Sequence, residues 1–136
     1  MGCDIHWILE VKEKHGWLGL ATSEITGRTA RASDRDYLLF AKLAPARLPS
    51  KREALGSPDD ASRLTRRIVS EWEGDGHNLS HISVKEYIRL YNSTVRILGK
   101  KADCDAWDLF GYPIEERVEE LGDDMDNYRL IFFFDN

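Results

Sequence analysis

Residues 74–81, Gly-Asp-Gly-His-Asn-Leu-Ser-His, concentrate groups that can do chemistry. Asp75 and His77 offer a carboxylate and an imidazole, which together can move protons or share a metal. His77 and His81 are four apart, a spacing that would put both rings on one face of a helix as zinc ligands. Gly74 and Gly76 break a helix before that point. Ser83 and Glu86 form a capping box that opens a helix after it. The helical spacing is therefore unavailable. The expectation is a glycine-flexed loop whose amide N–H groups, with His77, receive an anion. The bland alternative is a polar connection between two helices.

Two further clusters lie near the chain ends. Asp4 and His6 are two apart, so on a strand both side chains leave the same face. Asp135 and the terminal residue Asn136 follow an aromatic run. If the last strand pairs antiparallel with the first, Asp135 arrives beside residues 2–6 and converges with Asp4 and His6. A slip of one residue would reverse the face. Arginines at 28, 31, 35, 47 and 52 flank the first helix, and a guanidinium fork matches a phosphate bidentately. Arg35 and Arg47 complete a candidate ligand set of Asp4, His6, Arg35, Arg47, Asp75, His77 and Asp135. Asp4, His6, Asp75, His77 and Asp135 are also an alternative metal set, able to activate water.

The elements that must position these groups follow from periodicity. In residues 3–11, Cys3, Ile5, Trp7, Leu9 and Val11 share one apolar face, and Asp4, His6, Ile8 and Glu10 share the other. That alternation predicts a strand. Lys-Glu-Lys-His-Gly then turns the chain into a second strand over 17–22. Ser33 caps a helix that Pro45 stops. Ser57, with Pro58, Asp59 and Asp60 behind it, predicts the start of a second helix that ends at Gly74. Ser83 to Gly99 is a third helix, and Pro113 to Gly122 a short fourth. Residues 127–136 read as a central strand covered on both faces. The sum is one α+β domain over 1–136: a small antiparallel sheet, its first and last strands paired, packed with about four helices. The large aromatics, Trp72 and Phe132 to Phe134 among them, are expected in the core.

The chain has 136 residues, a net charge of −5 and 42% hydrophobic residues. That describes a globular domain without the basic stripe a general nucleic-acid binder needs. Cys3 and Cys104 do not make a disulfide framework. Cys3 falls on the apolar face, away from His6, so a thiol–imidazole dyad between them is not expected. No leader or membrane span is expected. His6 stands where a myristoylation signal wants Ser or Thr. Phosphate-loop, dinucleotide-fold, zinc-helix and nucleophile-elbow motifs are absent.

The opening Met-Gly-Cys-Asp-Ile-His, the Arg35–Ala44 segment with Arg47 after it, Gly-Ser-Pro-Asp-Asp-Ala-Ser, Gly-Asp-Gly-His and the ending Phe-Phe-Phe-Asp-Asn together resemble a family of small uncharacterised bacteriophage and prophage proteins. Such proteins share that opening and an aromatic–Asp–Asn tail. The pattern departs at His81, where an aromatic is more usual, leaving Asp75 and His77 as the stronger pair. The resemblance implies an accessory phage protein in the host cytoplasm, with counter-defence as one role. Three functions are carried forward. The first is binding of a small anionic, nucleotide-like ligand. The second is metal-dependent hydrolysis at the Asp/His cluster. The third is inhibition of a host defence protein by direct binding. Self-association is compatible with each, and no cofactor is specified.

Overall fold

The computed structural model describes residues 3–22, 37–46, 48–99, 108 and 114–136. They form an α+β fold. Four antiparallel strands, β1 (Asp4–Glu13), β2 (Gly16–Thr22), β3 (His77–Ser83) and β4 (Tyr128–Asp135), lie in the order β2-β1-β4-β3. The α-helices among the described residues are α1 (Tyr37–Leu43), α2 (Arg63–Glu71), α3 (Val84–Leu98) and α4 (Ile114–Leu121). None is long and apolar enough to cross a membrane.

The first and last strands pair as the pattern predicts, with Asp4 opposite Asp135 and Val11 opposite Tyr128. β4 is central and buried from Arg129 to Phe134. Its near-continuous apolarity follows from having both faces covered. On one face Ile5, Leu130, Phe132, Phe134 and Ile82 pack against Leu39, Phe40 and Leu43 of α1, Tyr87, Ile88 and Tyr91 of α3, and Ile114 of α4. Cys3 is fully buried in this layer, apart from His6. Cys104 lies outside the described residues.

The second face departs from simple alternation. Ile8 and Glu10, on the more polar side of β1, are 0% exposed, whereas Trp7 and Leu9 on the apolar side are only partly buried. The cause is α2, which covers this side. Gly19 stands opposite Glu10 in the β1–β2 register. A Cβ at Gly19 would lie 2.5 Å from the Leu64 Cβ. The missing side chain is what lets the helix approach.

α2 also begins later than Ser57. Its N-cap is Ser62, whose Oγ accepts from the Thr65 amide at 3.2 Å. Pro58 to Ala61 form a tight turn instead, closed by Ala61 N–H donating to Pro58 O at 3.1 Å. Ser62 wins because its own N–H donates to the buried Glu10 Oε2 at 2.8 Å, a tertiary bond that local capping rules cannot foresee. The helix ends at Glu71, three residues before Gly74. α3 forms as predicted, with Ser83 Oγ accepting from the Glu86 amide and Gly99 closing it at φ 67°. The predicted Ser33 cap lies outside the described residues.

Candidate functional site

The segment expected to be a loop is largely strand. His77 to Ser83 form β3, paired with β4, and the turn is confined to Trp72–Asp75. Two observations explain the difference. The Asp75 and Gly76 amides both donate to Trp72 O, at 3.0 and 2.9 Å, which closes the helix end tightly. The strand then absorbs its irregularity in a bulge between His77 and Ser80, with Asn78 at φ 54°. Asn tolerates that left-handed conformation better than most residues. The Asp75 and Gly76 amides are thus occupied and do not form an anion cradle.

The bulge also decides which histidine faces where. Residues opposite each other in a ladder share a face. His77 is opposite Phe134, on the face packed against α1 and α3, and its ring stacks on Phe134 with centroids 6.2 Å apart. His77 Nδ1 lies 2.6 Å from Asn78 Oδ1, and Nε2 lies 3.3 Å from Asn136 Oδ1. His81 is opposite Ile131, on the α2 face.

Asp4, His6 and Asp135 do come together on that α2 face. Asp4 and Asp135 are register partners, and His6 Nε2–H donates to Asp135 Oδ2 at 2.5 Å. His6 is 9% exposed. Its ring is stacked on Phe133, centroids 5.1 Å apart and 14° between planes, and tilted against Trp72 at 4.5 Å. Its Nδ1 is buried with no hydrogen-bond partner among the described residues. A carboxylate on Nε2 fixes the ring and its tautomer, the arrangement that orients a base.

The five-residue metal set does not assemble. Asp75 is exposed on the turn, and the sheet separates His77 from His6 and Asp135. Among the described residues no group of three or more His, Cys, Asp or Glu is placed to hold a metal ion. Arg35 and Arg47 lie outside the described residues.

Beside the His6–Asp135 pair opens a cleft of about 510 Å³ between α2 and β3. Trp72, Phe133 and Leu79 give it apolar walls, and Arg66, Ser70 and Glu73 a polar rim. Gly76 permits the close approach, since a Cβ there would lie 2.9 Å from the Phe133 ring. Trp72 and Phe133 form both the cleft wall and the packing around His6. Leu64, Ile68 and Trp72 recur at helical spacing, and Trp72 was expected in the core. It is half-buried because it caps the helix end. The signal for the cleft was a second stripe on the same helix: Arg66, Val69, Ser70 and Glu73 fall at helical i, i+3, i+4, i+7 spacing.

A second cluster was missed. Glu10, fully buried, accepts from Ser62 N–H, from Thr65 Oγ1–H at 2.6 Å and from Arg129 Nε–H at 2.6 Å. Arg129 donates onward to Asp60 Oδ1 at 2.9 Å and lies 3.9 Å over the Trp17 ring, whose N–H donates to Asp60 Oδ2. Burial pushes the Glu10 pKa up, but the Ser62, Thr65 and Arg129 hydrogen bonds outweigh it and hold the carboxyl below its ordinary value. The Arg129 hydrogen bond likewise lowers Asp60. His81 is lowered by burial first, then by the Arg129 and Arg52 charges. Every Glu10 contact is internal, so this network joins α2 to the sheet.

No family model, curated protein or solved structure matches the chain.

Proposed function

We propose that the chain binds a small anionic, nucleotide-like ligand in the cleft between α2 and β3. One observation carries this: two aromatic rings, Trp72 and Phe133, wall a cavity of about 510 Å³ that has Arg66 on its rim. Concave sites of a few hundred Å³ with apolar walls and few polar groups are the usual form of small-molecule sites. A flat base stacks on the half-buried indole of Trp72 while the buried Phe133 closes the cavity behind it, and a guanidinium pairs a phosphate bidentately. Arg66 takes the role first expected of Arg35 and Arg47. The Asp75 and Gly76 amides have no part in it. His6, held by Asp135, packs behind the aromatic wall against both rings. The proposed setting, a phage accessory protein acting in the host cytoplasm, rests on the resemblance of scattered sequence segments.

Calorimetric titration with AMP and GMP tests the proposal. Saturable binding is expected in the wild type, weakened about 5- to 150-fold by Trp72→Ala, the equivalent of losing one stacked base. Arg66→Ala should weaken the nucleotides but spare the uncharged nucleosides. Absence of binding at millimolar nucleotide would remove the proposal.

A further inference from the structure

A second cavity, of about 540 Å³, lies at the other end of α2 and shares Arg66 with the first. Its wall includes Trp17, and its rim Lys14 and Arg63. From the two cavities and their shared arginine we infer that the ligand is a dinucleotide, with one base at Trp72 and Phe133, the other at Trp17, and the linking phosphate at Arg66. The inference rests on the nucleotide-binding proposal and extends it.

Three observations support it. The first is geometry. Arg63, Arg66 and Ser70 of α2, with Ser62 before it and Glu73 after it, line one or other cavity, so the two sites adjoin at Arg66 as one groove. The nine residues of α2 span about 13 Å at about 1.5 Å each, and the cavities lie towards its opposite ends with Arg66 between them. The second is the condition of Trp17. Arg129 covers one face of the indole at 3.9 Å, and Asp60 holds its N–H at 3.1 Å. The ring is pinned, so stacking on its other face costs little ordering. The third is charge. Asp60 is committed to Arg129 and Trp17. Lys14, Arg63 and Arg66 then face only Glu13 and Asp59 in this cavity. With Glu73 on the rim of the first cavity the groove is balanced overall, and Arg63 and Arg66, one helical turn apart, are its local phosphate-pairing groups.

Titrations with AMP and with the dinucleotide ApA, repeated with GMP and GpG, decide the matter. The dinucleotide is expected to bind about 5- to 150-fold tighter than the mononucleotide, the gain from one further stacked base. Trp17→Ala should abolish that gain. Because Trp17 also braces Arg129, Arg63→Glu at an exposed position is the second variant, and it too should bring ApA towards AMP. Equal affinity for ApA and AMP would overturn the inference and leave the mononucleotide proposal standing. A gain that survives both variants would overturn it as well, by placing the second base elsewhere. Failure of every nucleotide to bind would remove both.

Discussion

Glu10 shows at the scale of one residue how far a sequence pattern reaches. Its place in β1 was legible, and its burial was not. A carboxylate on the more polar side of a strand is ordinarily solvated. Here it is 0% exposed because its register partner Arg129, the Ser62 amide and the Thr65 hydroxyl satisfy it. Those partners are 52 to 119 residues away, beyond any local pattern. Removing one member of a buried pair strands the other, so Glu10→Ala should cost about 3–5 kcal/mol in urea unfolding. Its folded-state pKa lies below the ordinary 4.5. The unfolded chain therefore takes up the proton first. The stability from Glu10 is fully present above pH 4.5 and lost as pH falls through the lower folded value. His81 has the same sign at higher pH. Its pKa is below 6.5, so the stability linked to it is present above pH 6.5 and declines as pH falls below that. Unfolding free energy measured across acid pH should fall in two stages. His81→Gln should remove the stage that begins near 6.5 and Glu10→Gln the one that begins near 4.5. A single stage unaffected by His81→Gln would show that its burial is immaterial. The His6–Asp135 pair, by contrast, was legible. It needed only an antiparallel pairing of the two end strands in a register that put Asp4 opposite Asp135.

At the scale of elements, α2 and β3 are where sequence and structure part. α2 was legible as a helix from Leu64, Ile68 and Trp72, but not its starting residue, which a tertiary bond to Glu10 selects. β3 was hidden for a different reason. Its glycines precede it, a bulge interrupts its alternation, and its two histidines fall on opposite faces once Asn78 adopts φ 54°. Periodicity counted across such a bulge is out of phase. Both elements meet the sheet where glycines remove bulk, and this gives a test of α2 as the cover of the second face. Gly19→Ala places a Cβ 2.5 Å from Leu64 and should cost about 1–3 kcal/mol through overpacking. Leu64→Gly, which removes that Cβ, should also destabilise alone, but the double variant should be more stable than the sum of the two losses, a coupling read by a double-mutant cycle. Strict additivity would mean that α2 does not rest on Gly19.

At the scale of the whole molecule, the late strand β4 holds the two layers together. It pairs with β1 on one edge and β3 on the other, and its successive residues alternate between the α1/α3/α4 layer and the α2 layer. Ile131 and Phe132 are both 0% exposed, one in each layer. The β1–β4 ladder joins residues more than a hundred positions apart, so most of the chain must be looped before it can close. Two consequences follow from one strand serving both layers. Ile131→Ala and Phe132→Ala should cost about 2–5 and 3–5 kcal/mol respectively, although they touch different helices. Each loss should also be felt throughout, because weakening either layer weakens the strand the other layer needs. Trp17 and Trp72 report on the α2 side and Trp7 on the other, where its ring meets Tyr87 at 5.7 Å. Single-tryptophan variants followed by fluorescence in urea should therefore share one midpoint, which either β4 substitution moves for all three probes alike. If Ile131→Ala shifted Trp17 and Trp72 while Trp7 kept its midpoint, the α2 layer would be a separately unfolding unit. The cavities along it would then open without loss of the main core.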